Sequence, residues 1–210
     1  MSKRRGRAIL TIVLTTAIVA GGCGDDGDAG STPEQEASAP EWPAPDDPIA
    51  RTAAAGLEPA LSEHLQTHRH SHLDVFVDGE PVTVSAGIGI DITDPGVQHF
   101  PGPNYGGIEE CSNPYISPLH THDETGILHT EAAIDDLLTL GQFFTEWGVT
   151  LEDGCVGEYC EGDTEIAVYV DGEQYDGDPA RIELEDRLEI AIVIGTPPAD
   201  IPDTADFSQA

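Results

Sequence analysis

The stretch LDVFVDGEPVTV, residues 73–84, constrains the fold of this chain more than any other. Leu73, Val75 and Val77 occupy alternate positions, so they share one face of an extended strand. Asp78-Gly79 then reverses the chain, because that dipeptide accepts the positive φ angles of a tight hairpin, and Val82 and Val84 return on a second strand. The same parity runs backwards through THRHSHLD. His68, His70 and His72 fall on one face and the apolar residues on the other, so a strand starting here buries its valines and turns its histidines outward.

A Pro- and Gly-rich loop follows, DPGVQHFPGPNYGGIEECSNP, without periodicity. SPLHTHDETGILHTE reads as a second hairpin. In LTLGQFFTEWG, Thr139 and Gln142 form a T-x-x-Q capping box, and Leu138 is placed to staple onto Phe143. Leu140, Phe143, Phe144 and Trp147 make one apolar helical stripe, which Gly148 ends. The last third returns to strands in EIAVYVDGE, ARIEL and LEIAIVIG, with a turn at EDR. One main amphipathic helix on a mixed or antiparallel sheet is an α+β architecture. The closing pattern RIELEDRLEIAIVIG resembles ubiquitin-like β-grasp domains, which implies a β-grasp-like sheet.

Residues 1–22 read as a secretory signal: a basic MSKRRGR, the apolar residues 8–20, and small residues before Cys23. The apolar run is shorter than the roughly 20 residues a spanning helix needs. AGGC resembles a bacterial lipobox, with Ala20 where leucine is usual; the resemblance implies cleavage before Cys23, its lipidation, and an extracytoplasmic protein anchored to the cell membrane. Residues 23–60, rich in Asp, Glu, Pro and Ala, read as a disordered tether. Residues 61–196 form one domain, and residues 197–210 a flexible tail.

The chain has 40 acidic and 8 basic residues, a net charge of −32. Loss of residues 1–22 removes Lys3, Arg4, Arg5 and Arg7 and no acid, which takes the net charge near −36. Such a surface repels nucleic acid and attracts cations. Outside the cytoplasm disulfides are permitted. CVGEYC favours a local Cys155–Cys160 bridge, with Cys111 as the other possible partner of either thiol and a cysteine metal ligand as the weaker alternative.

Five of eight histidines lie in THRHSH or HTH, and His129 follows in the second hairpin. Its register decides the geometry. A four-residue loop, Asp123 to Gly126, sets His120 opposite His129 and brings His120, His122 and His129 to one face, with Glu131 two residues further along. A three-residue loop with Gly126 left-handed turns His129 away. Neutral imidazoles with a carboxylate suit copper or zinc, and Met1 being the only methionine disfavours a thioether site. The candidate ligands are His120, His122, His129, His70, His72 and Glu131, with Asp123 placed to orient one of them. Cupin iron sites also begin with H-x-H, but their glutamate falls between Glu124 and Glu131, where this chain has none.

HLDVFVDGEPVTVSAGIGI, ISPLHTHDETGILHTEA and TLGQFFTEWGV resemble successive blocks of an uncharacterised family of extracytoplasmic bacterial and archaeal proteins with an HTHD…GIxH motif. That resemblance implies a shared architecture and names no substrate. The expected function is a lipid-anchored module that binds a divalent metal, copper or zinc. The alternatives are a metal-dependent enzyme (a non-heme oxygenase or a hydrolase) and an envelope interaction domain without metal.

Overall fold

The computed structural model describes residues 39–108, 111 and 113–209. The signal at 1–22, Cys23 and the tether to residue 38 lie outside the described residues. Among the described residues the first element is helix α1, Pro48–Ala54, whose proline sits in the first turn, where its missing N–H has no intrahelical role. Strand β1, Thr67–Val77, turns at Asp78 (φ 50°) and Gly79 (φ 85°) into β2, Glu80–Val82. The return strand is shorter than expected: Val84 is buried but lies beyond it.

The Pro/Gly-rich loop is not featureless. It pairs β3, Gln98–His99, with β4, Tyr105–Gly106, and builds a small second core from Ile90, Val97, Ile108, Tyr115 and Ile116. The second hairpin is β5, Leu119–His120, and β6, Ile127–Ala132. Helix α2, Leu140–Trp147, carries both bonds of the Thr139–Gln142 capping box and ends at Gly148 in the left-handed region, φ 76°. A three-stranded ribbon follows, β7 (Leu151–Glu152), β8 (Cys155–Val156) and β9 (Tyr159–Cys160), with Cys155 and Cys160 paired across it and joined by a disulfide. Cys111 is a free thiol.

The chain closes with β10 (Ile166–Val170), β11 (Glu173–Gln174) and β12 (Glu189–Ile194). ARIEL is not the expected strand. Pro179–Arg181 form a 3₁₀ turn, because Pro179 has no N–H for a ladder and the Asp178 side chain accepts from the Ala180 N–H. Ile182 and Leu184 are nevertheless buried.

Among the described residues seven strands form the main sheet, in the order β11-β10-β12-β1-β6-β5, with β2 also on β1. β1 and β12 are parallel, and the other pairs are antiparallel. This mixed sheet with helix α2 is an α+β fold. Leu73, Val75 and Val77 lie opposite Ile190, Ile192 and Ile194, and all six share a core cluster with α2. His68 is exposed, and His70 and His72 are half-buried, as the parity of β1 requires.

The expected tether and tail are both too long. Trp42 stacks edge-on against Trp147 at 5.7 Å, and its carbonyl accepts the Trp147 indole N–H at 2.9 Å. Ala39, Ala44 and Leu57 also pack on the core. An acidic, Pro-rich composition hides such packing, because a few apolar side chains suffice to hold a segment in a groove. The tail is held too. The Arg187 guanidinium lies 5.8 Å from the centre of the Phe207 ring, and Asp203 lies close against Gly172.

Glu146 is an acid on the buried face of α2, and its side chain is fully inaccessible. Burial raises its pKa from 4.5 to about 8, against a weak pull from the nearby Ser117 and Thr52 hydroxyls. The unfolded chain ionises this group near 4.5 and the fold resists, so its contribution is intact below that pH and is lost as pH rises through about 8. Denaturant melts of the protein and of Glu146→Gln should therefore diverge between pH 5 and 9, in favour of the variant at high pH. The change is roughly 4–5 kcal/mol; a constant difference across that range overturns the assignment.

Candidate metal centre

Strand β6 lies between β1 and β5, and its register places the donors. His129 faces His70 on one side and His120 on the other, while Glu131 faces His68. Directly opposed residues share a face of the sheet, so His68, His70, His120, His129 and Glu131 come to one surface. The hairpin loop is 121–126. Gly126 is left-handed, φ 85°, yet the register is the one that faces His120 to His129. His122 leaves the sheet instead of opposing Ile127: the Tyr105 N–H donates to its carbonyl at 2.9 Å, drawing it to the loop containing β4. Gly89 permits the segment between β2 and β3 to press on β5, since a Cβ there would lie 2.5 Å from the Leu119 carbonyl oxygen and 3.2 Å from the His120 Cβ.

The tautomers follow from the acceptors. His120 Nδ1 lies 2.9 Å from the Ser117 carbonyl oxygen, and His122 Nδ1 2.5 Å from that of Tyr105. A carbonyl can only accept, so each Nδ1 carries the proton and each neutral ring keeps its lone pair on Nε2. The two Nε2 atoms face each other at 3.2 Å. Two lone pairs make no hydrogen bond, and only a cation between them satisfies both. A proton is disfavoured: burial, then the charges of His122 and His129, holds His120 well below the ordinary range, and burial and His129 lower His122. A metal fits. With nitrogen ligands about 2.0–2.1 Å from zinc, a 3.2 Å separation subtends roughly 100°, near tetrahedral. Each ring donating its other N–H to a carbonyl is the usual outer support of a metal-bound histidine.

His129 and Glu131 complete the group. The ligand atoms of His120, His122, His129 and Glu131 all lie within 4.8 Å of one another. His129 Nδ1 is 3.6 Å from Glu131 Oε1, and both His129 Nδ1 and Glu131 Oε2 are buried without a hydrogen-bond partner. Burial lowers the pKa of His129 to about 4 and raises that of Glu131. Nearby, Glu63 Oε1 lies 3.9 Å from His122 Nε2, an acid of the domain that no histidine spacing pointed to.

His70 stands across β6 from this group. His72 belongs elsewhere: its Nε2 donates to the Thr125 carbonyl at 2.8 Å and its Nδ1 lies 3.0 Å from Glu189. Burial opposes its charge, but the Glu189 carboxylate outweighs that and raises its pKa, which favours the protonated ring beside that acid. His72, Asp74 and Glu189 form a separate cluster. Asp123, proposed to orient a ligand, instead accepts from the Thr125 N–H and hydroxyl within its own turn.

A cavity of about 740 Å³ opens beside the centre between segments 56–64, 114–120 and 131–138, with His120 and Glu131 on its wall and Leu57, Leu61, Ile116 and Ile134 among its apolar lining. No protein-family model, curated protein or solved structure matches this chain.

Proposed function

We propose that this protein is an extracytoplasmic, lipid-anchored domain that binds a divalent transition metal, zinc or copper, through His120, His122, His129 and Glu131. The observation that carries the reading is the pair of Nε2 lone pairs facing each other at 3.2 Å, with both Nδ1–H groups engaged by carbonyls. Imidazole and carboxylate donors suit both metals, and copper leads by intrinsic affinity. Titration calorimetry of the full chain in detergent, with Zn(II) and with Cu(II), tests it: a tight, chelator-reversible equivalent is expected, and no binding of either metal at micromolar concentration overturns it.

A second reading, a metal-dependent enzyme such as an oxygenase or hydrolase, draws on the apolar cavity beside His120 and Glu131. A small organic molecule seated there would lie against His120 and Glu131, so its binding should perturb the spectrum of a Co(II)- or Cu(II)-loaded centre. The β-grasp resemblance draws on strand order: a parallel central pair, β1 and β12, flanked on each side by antiparallel neighbours.

The anchor rests on the lipobox-like AGGC and on an acidic domain unsuited to anionic lipid. Cys23→Ser should move the protein from the membrane fraction to the soluble extracytoplasmic fraction. Equal membrane retention of the variant removes the lipoprotein assignment and leaves the metal centre untouched.

A further inference from the structure

The first centre does not account for every stranded donor on this face. His68, His70, His129 and Glu131 form a second group whose ligand atoms also lie within 4.8 Å of one another. His70 Nε2 is buried with no hydrogen-bond partner. It stands across β6 from the first centre, since β6 separates β1 from β5 and neighbouring strands are about 4.8 Å apart. The rings of His68, His70 and His129 form a row with successive centroids 4.6 Å apart. His68 Nε2 approaches Glu131 Oε1 at 3.3 Å while Glu131 Oε2 has no partner. The same Oε1 lies 3.6 Å from His129 Nδ1 of the first centre, so one carboxylate faces both sets of histidines.

We infer that this face holds a dinuclear centre, in which Glu131 bridges one divalent metal ion bound by His120, His122 and His129 and a second bound by His68 and His70. This rests on the metal-binding reading above and extends it. A carboxylate has an oxygen for each ion, and two-metal sites bridged in this way hold their ions about 3.5–4 Å apart. Three protein donors at the second ion leave it an open coordination position, the pattern of a catalytic or exchangeable site rather than a closed structural one. It opens outward, because His68 is the exposed member, with 43% of its side chain accessible. Asp186 and Glu131 bring negative charge to His70, and Asp123 brings it to His129, which eases the approach of two cations to so small an area.

The test uses the full chain in detergent, loaded with Cu(II), freed of excess metal, and read by elemental analysis and electron paramagnetic resonance. Two copper ions per chain are expected, with the Cu(II) signal broadened or lost through magnetic coupling. His68→Ala/His70→Ala should keep one ion and restore an isolated Cu(II) spectrum. One ion in the unmodified protein overturns the pair and leaves the proposed function standing, whereas none overturns both. Two ions that give uncoupled spectra overturn the shared bridge, and so does a double variant that still binds two. The unmodified protein decides the number and the coupling even where the variant fails to fold.

Discussion

Replacing His120 and His122 together by alanine should remove metal uptake at the first centre, lowering affinity there more than about 1,000-fold. Even loss of an outer partner of a metal-bound histidine costs 10–100-fold, and this change deletes two direct donors. Both rings are already held for the task by the carbonyls of Ser117 and Tyr105, so little ordering opposes binding in the unmodified protein. Thermal melts with and without zinc separate the site from the fold. A ligand that binds only the native state raises its stability by mass action, so the zinc-induced rise in Tm should shrink sharply in the variant. An undiminished rise with unchanged affinity excludes these two residues as ligands.

The pH response of the same centre carries a sign. Protons compete with metal only below the pKa of the folded, metal-free rings. Burial takes His129 to about 4 and also lowers His120 and His122. Uptake should therefore persist below the ordinary histidine range near 6.5 and fail only towards about pH 4. A midpoint near 6.5 would show rings that are solvated and free.

Trp147→Ala should destabilise the fold by about 3–5 kcal/mol. The indole is buried against Phe143 and Phe144, with centroids 5.8 and 5.6 Å away, and it meets Trp42 edge-on. Its N–H also anchors the Trp42 carbonyl, so the substitution opens a cavity and releases the segment around residue 42 in one step. Denaturant melts measure the loss, and limited proteolysis should report earlier cleavage near residues 39–47. A loss under about 1 kcal/mol would mean that this side chain does not fill the core as described.

Where the chain's own chemistry is local, its sequence alone determined the outcome. Thr139, Gln142 and Gly148 set the ends of α2, because a cap needs only a side chain within one turn. Asp78-Gly79 and Asp171-Gly172 each take two successive positive φ values, since those residues tolerate them. The parity of β1 separated its histidines from its valines for the same reason: alternation is a property of one extended strand.

Which strands meet is not local, and there the tertiary structure decided. HTHDETGILHTE allowed two registers, and the left-handed Gly126 was compatible with the losing one; pairing to β1 and the loop pressing on β5 selected the other. Only that packing joins THRHSH on β1 to HTEA on β6, sends His72 to Glu189, brings Glu63 beside His122 and draws Glu146 into the interior. The carbonyls of Ser117 and Tyr105 were beyond any reading of side-chain identity. Every residue carries such an oxygen, and it becomes specific only when the fold aims it at a ring nitrogen. Histidine spacing therefore pointed to candidate donors, while the closure of β6 between β1 and β5, with the Tyr105 loop holding His122, brought His120, His122, His129 and Glu131 within 4.8 Å and turned the Nδ1 of His120 and of His122 to a carbonyl.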